Sequence, residues 1–271
     1  MTLQAELARG ALADSTIHEH WVAAYRTPEA QGFYEMAFDE IARRLGAPPD
    51  SLILDAGCGS CAKSILLASR GFKVVGTDFS STALDLAAKT VQSRGLEDRI
   101  TLRQGDLLKL PFGDGEFRYA LCWGVLMHVP ELDAALKELS RVLAPGGVLV
   151  LSEGNMYSVQ SYVLRALKRV FGRRRSTIIR TAAGLESHEH TGQGLLVTRQ
   201  TDMKAFAALC ERQGLRLKTR IAGQVTELYT LVPWPWLRRA IHRLNSVWFR
   251  FVGAPGPAFG NILIFEKHAR S

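Results

Sequence analysis

The 271 residues are 47% hydrophobic and 22% charged, which suits one large α/β domain, or one domain with a substantial insertion, and excludes a disordered chain. No apolar run reaches the roughly 18 residues that a membrane-spanning helix needs. The net charge of +8 is uneven: residues 1–154 carry 15 Lys and Arg against 20 Asp and Glu, and residues 155–271 carry 19 against 6, so the second half fits an anionic partner (lipid headgroups, nucleic acid or an acidic substrate) or a solvated basic surface.

In chain order, Met1–Ser15 carries Glu6, Arg9 and Asp14 and lacks the apolar core of a secretory signal. A loose helical segment at His18–Tyr25 precedes an amphipathic helix at Gln31–Leu45. From Ser51 to Ser152 short apolar runs alternate with helical patterns, the signature of βαβ units and a parallel sheet. The strands fall at Ser51–Ala56, Lys73–Asp78, Ile100–Gln104, Tyr119–Trp123 and Val148–Ser152. Helices lie between them at Ala62–Arg70, Thr82–Arg94 and Glu131–Leu143. Ser80 or Ser81 can cap the second of these, and Gly71 and Gly95 sit where a left-handed residue ends a helix. Beyond the fifth strand, Tyr157–Arg175 is basic and amphipathic, and Thr181–Val197 reads as a glycine-bearing loop. Thr201 can cap a helix at Asp202–Gln213. Leu215–Ile221 and Asn261–Glu266 read as two more strands, separated by a Trp- and Arg-rich stretch, Pro233–Val252. Four cysteines (Cys58, Cys61, Cys122, Cys210) make no disulfide framework at this length, so a reducing cytoplasm is the expected compartment.

The chemistry concentrates in Leu52-Ile53-Leu54-Asp55-Ala56-Gly57-Cys58-Gly59-Ser60, where an apolar strand ends in Asp and turns through two glycines into a helix. The glycines let the backbone approach a ligand, and the helix N-terminus offers unpaired N–H groups. Asp78, 19 residues after Gly59, ends the next strand, where a carboxylate can accept both hydroxyls of a ribose. Gly105-Asp106-Leu107 follows the third strand, and Asp106 could accept from an adenine amino group. Ala144-Pro145-Gly146-Gly147 is a tight turn before the fifth strand. Any one of these could simply cap a helix; four in order carry more weight.

This series, with Trp123-Gly124-Val125-Leu126-Met127-His128-Val129-Pro130, resembles the small-molecule class I S-adenosylmethionine-dependent methyltransferases. The resemblance spans about Leu52 to Glu153. It implies a Rossmann-like, doubly wound α/β fold, with a seven-stranded mostly parallel sheet, a C-terminal antiparallel hairpin and helical insertions. It also implies an N-terminal helical lid over residues 1–50, a cofactor-binding core over 51–154, and a basic substrate-side elaboration over 155–271 that completes the sheet. Asp55, Gly57, Cys58 and Gly59 would line the methionine part of S-adenosylmethionine, with Trp123 beside it. Asp78 would bind the ribose, Asp106 with Leu107 would frame the adenine, and Phe79 would be a further cofactor contact. Tyr25 is a candidate cofactor contact or a core aromatic. Two departures stand out: Cys61 occupies the place of a frequent third glycine, and Tyr119 stands where the fourth strand commonly opens with Asp.

A nicotinamide dinucleotide would place its pyrophosphate at the first turn, where Asp55 repels it, whereas an ammonium and a sulfonium suit that carboxylate. Methyl transfer is an in-line displacement that depends on alignment. His128, after the fourth strand, is the candidate proton acceptor, with a structural or substrate-shaping role as the alternative. Cys58 and Cys61 lack the second pair of a zinc site, and His188-Glu189-His190 lacks complementary ligands, so no metal is expected. The expected activity is methylation of an oxygen or nitrogen of a small or lipid-linked acceptor. RNA or protein methylation and a non-catalytic cofactor-binding partner protein remain as alternatives. The basic segments Leu164–Arg175 and Trp234–Arg250 mix aromatic and basic residues, as in a peripheral contact with an anionic inner-membrane surface. Otherwise their aromatic faces pack on the sheet and only the arginines meet water.

Overall fold

The computed structural model describes residues 3–13, 27–171, 177–192 and 194–268. The expected helical segment at His18–Tyr25, with Tyr25 itself, and the Arg173–Arg175 run lie outside them.

Helix α1 spans Leu3–Leu12. Helix α2 covers Pro28–Leu45: Thr27 accepts the Ala30 N–H, proline occupies the first turn, and Gly46 in the left-handed region stops it. The Rossmann-like core then follows as β1 (Leu52–Ala56), α3 (Ala62–Ala68), β2 (Lys73–Asp78), α4 (Ser81–Ser93), β3 (Ile100–Gln104), β4 (Phe117–Trp123), α5 (Leu132–Val142) and β5 (Leu143–Gly154). Ser80 caps α4 through the Ala83 N–H. Helix α6 (Val159–Phe171) leads to β6 (Thr177–Thr181), β7 (Gly184–Thr191) and β8 (Gly194–Thr201). Then come α7 (Met203–Arg212), β9 (Leu215–Ala222), α8 (Pro235–Val247), a π turn over Trp248–Val252, and β10 (Gly260–Lys267).

The main sheet has the order β3-β2-β1-β4-β5-β10-β9. Its first five strands are parallel, and β10 runs antiparallel to both neighbours, completing the expected seven-stranded sheet. Apolar side chains fill both faces, as parallel strands require. On one face Phe33, Phe38 and Ile41 of α2 pack with Leu67, Ile53 and Val150. On the other, Leu136 and Leu139 of α5 and Phe206 of α7 pack with Leu54, Leu149 and Phe265. Each such fully buried side chain contributes about 1.5–3 kcal/mol.

Two expectations are corrected. Thr181–Val197 is not a loop: it supplies most of an antiparallel three-stranded sheet, β6-β7-β8. Its period-two pattern was masked because β8 buries Arg199 and Thr201 alongside Leu195 and Val197. Thr201 does not cap α7. Asp202 does, accepting from the Lys204 and Ala205 N–H groups, while the Thr201 hydroxyl turns to Glu153. Helix α1 lies on β8, and Gly194 permits it, since a Cβ there would stand 2.1 Å from the Leu7 carbonyl oxygen.

Candidate active site

A cavity of about 340 Å³ opens at the C-terminal ends of β1, β2, β4 and β5, where open α/β sheets bind ligands. It brings together Asp55, Gly57, Cys58, Gly59, Asp78, Phe79, Asp106, Leu107, Trp123 and His128, which is every candidate residue among those described.

The glycine turn is pinned from behind. Gly57 and Cys58 N–H both donate to the Thr77 carbonyl, at 2.8 and 2.9 Å. Gly57 has φ +80°, and a Cβ on it would meet Val125 at 2.5 Å, so the β4 loop closes on the turn only because the residue is glycine. Asp78 is held by backbone on both oxygens: Oδ2 accepts from Gly59 at 2.9 Å and Oδ1 from Ser80 at 3.0 Å. A carboxylate can accept about four hydrogen bonds, so these two set its orientation at the cavity wall. Asp55 is buried and accepts from the Ser64 hydroxyl at 2.6 Å; burial pushes its pKa up to about 6, with Ser64 opposing. Cys61 takes φ +62° where α3 begins, which explains why glycine suits that place. Cys58 and Cys61 are both buried thiols.

Arg9 of α1 also faces the cavity and pairs with Asp106 Oδ2, while Asp106 Oδ1 accepts from the Leu108 N–H at 2.9 Å. Lys63, in the first turn of α3, places its ammonium 3.0 Å from the centre of the Tyr34 ring, which meets Trp123 edge-on. Sequence reasoning missed both cations. Lys63 was findable, lying one turn beyond the glycines; Arg9 was not, because only tertiary packing brings it to Asp106.

The opposite wall is set by the small sheet. His128 Nδ1 lies 2.7 Å from the Val197 carbonyl oxygen of β8. A carbonyl only accepts, so the neutral ring carries its proton on Nδ1 and a lone pair on Nε2. Burial lowers the His128 pKa, the Val197 bond opposes this, and Arg199 lowers it further. Arg199 is itself buried: it donates twice to Glu186, and to the Leu126 and Val129 carbonyls that flank His128, at 2.8 and 3.0 Å. His188 also meets Glu186, at 3.0 Å. Among the described residues no group of three or more His, Cys, Asp and Glu converges as a metal site.

Glu153, at the end of β5, is a further cavity residue that sequence reasoning missed. It is 2% exposed, accepts from Thr201 at 2.9 Å through Oε2, and leaves Oε1 without a hydrogen-bond partner. Burial pushes its pKa up to about 7, with Thr201 and then Arg199 opposing. A buried, unsatisfied carboxyl at a cavity wall points to a ligand group.

Comparison with known proteins agrees with this geometry. A methyltransferase domain family model matches residues 53–147. The demethylmenaquinone methyltransferase of Bacillus cereus is 30% identical over 185 residues, covering 65% of this chain and 74% of that one. Methyltransferase GfsG of Streptomyces halstedii is 30% identical over 149 residues, covering 55% and 54%. The chain thus spans about half the length of some curated relatives and three quarters of others. Among solved structures, magnesium protoporphyrin IX methyltransferase from Synechocystis with bound S-adenosylhomocysteine (SAH) shares the fold. Its TM-score is 0.64 at 18% identity, over 97% of this chain and 99% of that one. A SAM-dependent methyltransferase from Methanosarcina mazei gives 0.58 at 23% identity, over 85% and 98%. Together the glycine turn, the strand-end acids, the sheet order and these matches show that the chain belongs to the class I S-adenosylmethionine-dependent methyltransferases.

Proposed function

We propose that this protein transfers a methyl group from S-adenosylmethionine to an oxygen or nitrogen of a small or lipid-linked acceptor. The observation that carries the reading is that one cavity has two chemically distinct walls: the glycine turn with Asp78, and His128 with Glu153.

The first wall fits the cofactor. Gly57–Gly59 bring backbone close to the methionine part, beside Trp123, and the buried Asp55 carboxylate behind the turn favours an ammonium and opposes a pyrophosphate. Asp78 would accept the ribose hydroxyls, Phe79 would be a further cofactor contact, and Asp106 with Leu107 would frame the adenine once Arg9 yields or shares the carboxylate. When bound, S-adenosylmethionine supplies an already activated methyl group, so the protein's main task is alignment and exclusion of water.

The second wall manages the acceptor's proton. His128 stays neutral at pH 7 because burial lowers its pKa, and its Nε2 lone pair can take the proton that a hydroxyl loses on methylation. Glu153 offers Oε1 to an acceptor hydroxyl or amine. Demethylmenaquinone methyltransferases among the relatives, and Val125, Met127, Val129 and Phe259 in the lining, favour an acceptor with a substantial apolar body. Incubating the protein with isotopically labelled cofactor and separate metabolite and lipid extracts, then finding the labelled product by mass spectrometry, tests this. Label in an oxygen- or nitrogen-methylated apolar molecule supports it; label only in RNA or protein refutes the acceptor class.

A further inference from the structure

Helix α8 is amphipathic in the wrong sense for a core helix. It buries polar residues inward: His242 stacks 4.2 Å from the Tyr229 ring, and Asn245 bonds both the N–H and the carbonyl of Thr226. Several of its apolar residues face out, while Leu237 and Ile241 are half-buried. Trp236, Leu244, Val247 and Phe251, spaced as one helical stripe, are 64%, 49%, 47% and 76% exposed, and Trp234 before them is 57% exposed. Trp234, Trp236 and Phe251 therefore do not pack on the sheet, whereas Phe249 turns inward against Phe33 and the half-buried Trp248 donates its indole N–H to the Ala254 carbonyl. Arg238, Arg239, Arg243 and Arg250 lie exposed among them, none in an ion pair with a described residue, and no acid occurs between Glu227 and Glu266.

The start of α6 extends this face. Val159, Tyr162 and Val163 are 59%, 55% and 47% exposed. The same turn is tied to both ends of the α8 segment: Gln160 Oε1 accepts from Thr226 and Glu227, and the Val159 N–H donates to Pro257. Glu227 and Phe259, which bracket the segment, line the cavity. Contiguous exposed apolar surface of this kind marks an interaction site. Here charge selects the partner: aromatics suit the headgroup boundary and exposed arginines suit anionic lipid. No described helix is long and apolar enough to cross a membrane.

We propose that the face formed by α8, the π turn and the start of α6 docks on an anionic lipid surface beside the cavity mouth. Docking stands on the surface alone; that a lipid-linked acceptor then enters from the bilayer rests on the function proposed above. The test is flotation of the full chain with phosphatidylglycerol-containing vesicles and with pure phosphatidylcholine vesicles, at low and high salt. The protein should float only with the anionic vesicles and be released by salt. R239Q and R243Q should each lower partitioning about fivefold. The W234A/W236A double variant should abolish it while retaining wild-type affinity for SAH, which shows that the variant is folded. Brominated lipid should quench tryptophan emission in the wild type and not in that variant. Absence of flotation, equal flotation with neutral vesicles, or a dimer in light scattering that W236A dissolves would overturn the proposal. The last result would assign the face to a second copy of this chain. Methyl-transfer assays play no part in this readout, so failure of docking and failure of the proposed activity remain separate.

Discussion

The two walls of the cavity are built differently. On the wall proposed for the cofactor, functional groups are held by backbone at the ends of adjacent strands, as when Gly59 and Ser80 fix Asp78. On the wall proposed for the acceptor, one strand of a separate sheet does the positioning: Val197 orients His128, Arg199 clamps the turn that carries it, and Thr201 holds Glu153. The first arrangement is local and tolerates change elsewhere in the chain. The second depends on contacts about 50–75 residues apart through β8, which also seats α1 and so brings Arg9 to Asp106.

Breaking that division should give graded effects. The largest is expected for Arg199→Met, which leaves buried Glu186 with His188 as its remaining partner and takes the Arg199 donors from the Leu126 and Val129 carbonyls; a loss of about 3–5 kcal/mol should appear in thermal or denaturant unfolding. His128→Ala should lower turnover about a hundredfold or more while changing the affinity for SAH less than twofold. In the wild type the acid limb of the rate profile should lie below the ordinary imidazole range, because burial lowers the His128 pKa. Asp78→Ala should do the reverse, weakening SAH binding by about 1.5–3 kcal/mol in calorimetry, with some loss of fold stability as the Gly59 and Ser80 N–H groups lose their acceptor.

Glu153→Gln should have the most pH-dependent effect. A carboxyl whose folded pKa is raised holds its proton more tightly in the folded chain. Its contribution to stability is present below about pH 4.5 and is lost as pH rises through about 7. The Gln variant should therefore unfold less readily than the wild type at pH 8, by up to about 3 kcal/mol, and match it near pH 4.5.

The same division explains what the sequence made legible. The cofactor wall was readable because its parts are short and ordered along the chain: Asp55 to Gly59, Asp78 and Asp106 each follow a recognisable apolar strand. The antiparallel strands at Leu215 and Asn261 were readable for the same reason. Residues 181–197 were not, because their inward positions continue into Glu186, Arg199 and Thr201, polar side chains that defeat an apolar alternation. Glu153 stands just past the Val148–Ser152 strand with no motif to mark it; its placement depends on burial and on Thr201, nearly fifty residues away. Arg9 reaches Asp106 only because α1 packs on β8.

Isothermal titration of the purified chain with SAH, and separately with NAD, tests the central claim most directly. The account predicts one saturable SAH site per chain, weakened by Asp78→Ala and indifferent to His128→Ala, with no NAD binding. Tight NAD binding with no heat from S-adenosylmethionine or SAH would contradict it.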